Sequence, residues 1–128
     1  MLADDDEEFL EFLRTVFEEQ PSLSIVGVAR DGVDALDLAE ELEPEAVLID
    51  LHMPLLDGVS TVARMRRDHP SLCLIAMTGD SAPELHRAVA EAGADAVLMK
   101  HELLVGLADR VAAARRDRLA AAAYGVVR

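Results

Sequence analysis

Five short apolar runs punctuate the chain, at residues 1–3, 23–29, 46–49, 72–77 and 96–99. They are rich in Val, Ile and Leu and lack polar alternation, which is the pattern of strands covered on both sheet faces. Between them apolar residues recur at helical spacing. The first helical stretch, 7–20, carries Phe9, Leu10, Leu13, Val16 and Phe17 on one stripe and ends before Pro21. The second, 33–42, follows Asp31-Gly32 and precedes Pro44. The third, 58–68, precedes Pro70. The fourth, 82–92, has Asp80 or Ser81 as the expected cap, Pro83 in its first turn and Gly93 as a stop. The last, 102–122, is rich in Ala and Arg.

Strict strand–helix alternation predicts right-handed crossovers and a parallel sheet with helices on both faces. Five such units suit the α/β flavodoxin-like doubly wound order 2-1-3-4-5. In that order the first strand pairs on both sides. It is nonetheless unusually short, because the acids begin at Asp4.

Composition narrows the function. A chain of 128 residues with 52% hydrophobic content fits one domain with one core. The net charge of −13 and the small number of aromatics, three of the four in the first helical stretch, argue against a nucleic-acid surface. The C-terminal stretch is locally basic (Arg110, Arg115, Arg116, Arg118) but has no DNA-reading motif beside it. No apolar run reaches the roughly 18 residues a membrane span needs. Cys73 is the single cysteine and is read as a small core residue, consistent with a reducing, cytoplasmic setting. The histidines His52, His69, His86 and His101 show no metal-ligand spacing.

The chemistry gathers at one place. In a parallel sheet, ligands bind beyond the carboxyl ends of the strands. There the first strand delivers Asp4-Asp5-Asp6, the third Asp50, the fourth Thr78-Gly79-Asp80 and the fifth Lys100. Converging carboxylates repel and need a cation. An oxygen-only ligand set suits magnesium. A carboxylate beside such a metal can attack phosphorus. Lys100 and Thr78 then supply a positive charge and a hydroxyl donor for the transferred group, and Gly79 leaves room for it. Each feature alone has a plainer explanation: helix capping for the acids, a turn before Pro54 for Asp50, a strand-end hydroxyl for Thr78, a solvated charge for Lys100.

The sequence resembles the receiver domain of bacterial two-component response regulators. The matching stretches are Leu2-Ala3-Asp4-Asp5, Val47-Leu48-Ile49-Asp50-Leu51-His52-Met53-Pro54, Asp57-Gly58, Met77-Thr78-Gly79 and Gly93-Ala94-Asp95, ending at Lys100. The stretch around Asp50 is most similar to regulators that carry a LuxR-type helix-turn-helix. The resemblance implies that Asp50 is the phosphoryl acceptor, served by a sensor histidine kinase. It implies Mg2+ held by Asp4, Asp5, Asp50 and the backbone carbonyl of His52, with Thr78 and Lys100 contacting the phosphoryl group. It further implies a homodimer or target face on the fourth helix, fifth strand and fifth helix.

On this reading residues 1–120 form the receiver, and 121–128 form the helix end or the start of a linker, with no output domain. The chain is a signalling switch and not an enzyme with an external substrate. Two departures stand out. The switch aromatic three residues before the lysine is Val97, and the proline after the lysine is His101. A cis bond at His101 would cost on the order of 3 kcal/mol. Val97 keeps open the alternative of a phosphorylation-independent interaction module. A phosphatase of the haloacid-dehalogenase type, with Asp4 and Asp6 as its Asp-x-Asp pair, fits less well, because Glu8 replaces the expected hydroxyl residue and no acidic pair follows Lys100.

Overall fold

A computed structural model describes residues 1–102 and 107–123. Five strands and five α-helices alternate: β1 (Leu2–Ala3), α1 (Glu7–Glu18), β2 (Val28–Ala29), α2 (Gly32–Leu42), β3 (Ala46–Asp50), α3 (Gly58–Asp68), β4 (Cys73–Thr78), α4 (Pro83–Ala92), β5 (Ala96–Met99) and α5 (Leu107–Ala123). The sheet is parallel with order β2-β1-β3-β4-β5, as the alternation predicts.

Each face of the sheet is buried under helices. One core packs Ala3, Val47, Ile49, Leu74 and Ala76 against Ala35, Ala39, Val62, Met65 and Val89 of α2, α3 and α4. The other packs Leu2, Leu48, Ile75 and Met77 against Leu10, Leu13 and Phe17 of α1 and Leu107 and Val111 of α5. Successive strand residues thus serve opposite cores, which explains why the runs are apolar without alternation.

Several boundaries differ from expectation. The second run, 23–29, yields only two strand residues. β1 is two residues long, and its Leu2 and Ala3 pair with Val28 and Ala29, so residues 23–27 have no ladder to join. α1 stops at Glu18, two residues before Gln20. Neither Asp80 nor Ser81 caps α4. The N-cap is Ala82, without a side-chain bond, and Asp80 instead accepts the Ala82 N–H within the preceding loop at 2.9 Å. The last helical stretch begins as a 3-10 turn, Lys100–Glu102, and α5 starts at Leu107. Among the described residues no peptide bond is cis, so His101 follows Lys100 through a trans bond. Residues 124–128, the end of the expected linker, lie outside the described residues. Among the described residues no helix is long and apolar enough to cross a membrane.

Candidate functional site

The register of the sheet builds the site. Leu2 and Ala3 lie beside Leu48 and Ile49, so the chain leaves β1 at Asp4 just where β3 ends at Asp50. Asp50 pairs with Met77, and Thr78 pairs with Met99, which brings Thr78 and Lys100 to the same edge. Apolar strands thereby carry polar termini to one place.

The acidic run after β1 divides by role. Asp4 is fully buried, and its Oδ1 accepts the Asp6 N–H at 3.0 Å. Asp6 is the N-cap of α1, accepting from Glu8 N at 3.1 Å and Phe9 N at 3.2 Å. Glu7 pairs with Arg30. Asp5 is exposed, and one carboxylate oxygen from each of Asp4, Asp5 and Asp50 lies within 4.8 Å of the others.

Lys100 Nζ reaches into this cluster. It lies 2.8 Å from Asp4 Oδ2 and 3.5 Å from Asp50 Oδ1. The ammonium thus neutralises the one buried Asp4 oxygen that accepts no other hydrogen bond. Burial raises the Asp50 pKa above the ordinary carboxylate value. The Asp4 charge raises it further, against the opposing pull of Lys100 and the His52 backbone N–H. For Lys100, burial works to lower the pKa but is outweighed by the Asp4 and Asp50 carboxylates, and the net shift is upward.

Three carboxylates face one ammonium, which leaves an excess of negative charge. That is a fit for a hard divalent cation, and magnesium suits the oxygen-only set. His52 is exposed just past Asp50. Thr78 is buried, and its Oγ1 accepts the Asp80 N–H at 2.9 Å. A Cβ at Gly79 would meet nothing within 4 Å, so the space beside Thr78 is open. The edge therefore gathers Asp4, Asp5, Asp50 and Lys100 into contact range and sets Thr78 and His52 beside them.

Other side chains take places that the sequence left unread. Phe9, expected on the core stripe with Leu13 and Phe17, only partly packs there. Its ring lies under the Lys100 ammonium, 4.5 Å from ring centroid to Nζ. Arg66, Asp95 and Arg118 form a buried ion cluster. Leu55, in the loop after Asp50, has φ 72° and is 77% exposed. His69 and His101 lie near Glu40 and Glu102, and His86 Nε2 meets the Asp80 carbonyl at 2.7 Å. Cys73 is buried, in agreement with a core role. A cavity of about 370 Å³ opens at the opposite end of the sheet, lined by residues that include Ser24, Val26, Pro44 and Ala46. It is remote from the carboxylates.

Comparison with known proteins gives a consistent picture. Residues 1–112 match the family model described as the response regulator receiver domain. A protein-glutamate methylesterase/protein-glutamine glutaminase of Methanospirillum hungatei is 40% identical over 96 residues, covering 70% of this chain and 28% of that protein. The chain thus spans little more than a quarter of that relative's length. The receiver domain of the response regulator NarL from Mycobacterium tuberculosis superposes with a TM-score of 0.77 at 25% identity, covering 86% of this chain and 92% of that one. The response regulator domain of Thermotoga maritima CheB has the same fold, with a TM-score of 0.82 at 21% identity over 90% of this chain and 93% of that one.

Proposed function

The chain belongs to the response regulator receiver domain family, and from that premise we propose that it is a phosphorylation-driven switch with Asp50 as the phosphoryl acceptor. The observation that carries this reading is Lys100 Nζ lying 2.8 Å from Asp4 and 3.5 Å from Asp50 in one acidic cluster.

An Asp50 carboxylate oxygen attacks the phosphorus of a phosphohistidine on a sensor histidine kinase. The new P–O bond forms as the P–N bond breaks, and the electron pair leaves with the imidazole. Lys100 then shifts its charge from the Asp50 carboxylate to a phosphoryl oxygen, and the Thr78 hydroxyl donates to another. Asp4, Asp5, Asp50 and the His52 carbonyl would hold Mg2+, which would supply positive charge beside the transferred group. Aspartyl phosphate and the inward movement of Thr78 and Lys100 shift an existing equilibrium toward the active state. The face formed by α4, β5 and α5 carries the readout, as a homodimer or target contact. No turnover of an external substrate is expected, and the setting is cytoplasmic.

We infer no direct nucleic-acid binding by this chain from its net charge of −13 and from the carboxylate partners of three of its four C-terminal arginines, Arg116 being exposed. Arg118 pairs with Asp95 at 2.7 Å, Arg115 with Glu45 at 2.5 Å, and Arg110 lies 3.8 Å from Glu102.

Acetyl phosphate with magnesium should add one phosphoryl group to the protein by intact mass, and Asp50→Ala should abolish the addition. Persistent labelling of that variant would remove Asp50 from the role. Val97 favours one second reading, a phosphorylation-independent module. It stands where an aromatic was expected, and it packs against the core formed with α2, α3 and α4. Oligomeric state and target binding that ignore a beryllofluoride mimic would support that reading.

A further inference from the structure

The site has a wall that the carboxylates do not provide. Lys100 Nζ lies 2.8 Å from Asp4, 3.5 Å from Asp50 and 4.5 Å from the Phe9 ring centroid. The ring is itself held in place. The Phe9 N–H donates to the Asp6 cap at 3.2 Å, which fixes the first turn of α1. Phe12, one turn further on, supports it with ring centroids 5.7 Å apart at 37°. The acidic run after β1 therefore has two outputs. Asp4 and Asp5 join the carboxylate cluster, and Asp6 orients the aromatic that meets the lysine.

We propose that Phe9 is a positioning residue, whose ring face holds the Lys100 ammonium beside Asp50 and so sets the rate at which Asp50 is phosphorylated. The proposal rests on the function proposed above. The physical reason is the length of the lysine. Its four-carbon stem has many rotamers, and a side chain at the end of β5 has to reach across to the end of β3. Two carboxylates attract it, and the negative face of an aromatic ring adds a third attraction. The ammonium is then confined where a phosphoryl oxygen will need it, and less ordering remains for the transition state.

The test compares Phe9→Leu, which keeps apolar bulk but has no ring, with Phe9→Tyr, which keeps the ring. Labelling by acetyl phosphate with magnesium should slow about three-fold in Phe9→Leu and return to within about two-fold of the parent in Phe9→Tyr. Thermal unfolding is measured alongside, and slowing that persists when both variants unfold at the same temperature excludes a merely structural effect. A direct signature accompanies the rate: the Lys100 ε-methylene protons should be shifted upfield by the ring current in the parent and in Phe9→Tyr, and not in Phe9→Leu. Parent-like labelling of Phe9→Leu, or failure of Phe9→Tyr to restore the rate, overturns the proposal while leaving Asp50 as acceptor. Absence of labelling in the parent itself overturns both.

Discussion

Arg66 Nη2 lies 2.8 Å from Asp95 Oδ2, with both side chains less than a tenth exposed. This pair ties α3 to the start of β5. Arg66 also donates to the carbonyls of Gly93, Pro70 and Leu72 at 3.0, 3.0 and 2.7 Å. The same Asp95 oxygen accepts the Leu74 N–H at 2.8 Å, and its other oxygen accepts Arg118 Nε at 2.7 Å. Asp95→Ala would leave two buried guanidinium groups without a counter-charge. The expected loss is about 3–5 kcal/mol in denaturant unfolding. The exposed Arg67–Asp68 contact, 3.0 Å long, is the control. Asp68→Ala should leave the denaturation midpoint close to that of the parent. Equal effects of the two substitutions would refute the account.

Gly58 and Gly79 flank the site and should respond differently to alanine. A Cβ at Gly58 would stand 2.5 Å from Leu51 Cα, a backbone atom directly after the acceptor. Gly58→Ala should lower stability by about 1–3 kcal/mol and slow labelling of Asp50, because the loop has to move. Gly79→Ala meets open space and should stay within about 0.5 kcal/mol of the parent. Denaturation curves for both, with intact mass after acetyl phosphate treatment, check this.

Leu55 sits at the centre of a tight turn, with the Leu56 N–H donating to the Pro54 carbonyl at 3.0 Å. Its φ of 72° crowds an L side chain, and its exposure of 77% means that little packing offsets the crowding. Leu55→Gly should raise stability by about 0.5–1 kcal/mol. Leu55→Val, branched at Cβ, should lower it. A thermal-unfolding series over the three proteins decides the matter, and a fall in Leu55→Gly would show that the side chain has a role the strain does not cancel.

Burial pushes the Cys73 thiol up to about 12, well above its ordinary 9.0. The native thiol should therefore resist alkylation at pH 8, and labelling should follow unfolding. The sign for stability follows from proton binding. The folded thiol holds its proton where the unfolded one has lost it, so this contribution is complete below about pH 9 and is lost as pH rises toward about 12. A Cys73→Ala variant should lack that alkaline component when stability is followed by denaturant titration across this range.

Much of the fold was legible because burial leaves a pattern in the chain. The runs at β3, β4 and β5 had to be continuously apolar to serve two cores, and the helices had to be striped to serve one. Asp4, Asp50, Thr78 and Lys100 stood out because each followed such a run directly. Register was not legible. A two-residue β1 supports a two-residue β2, and only the pairing of Leu2 with Val28 shows where that ladder ends. Physical chemistry alone could not separate the capping acid, Asp6, from the clustered acids Asp4 and Asp5, because all three are adjacent and chemically alike; only the family resemblance did.

The sequence by itself determined the alternating architecture and the edge where charge collects, because both follow from which residues tolerate burial. Only the tertiary structure decided the partners. Arg118 reads as one of several surface arginines until α5 lies against Asp95, and Phe9 reads as core until Lys100 reaches over its ring. Those contacts join residues 23 and 91 positions apart. Local propensity carries no information over such distances, and packing alone brings the groups together.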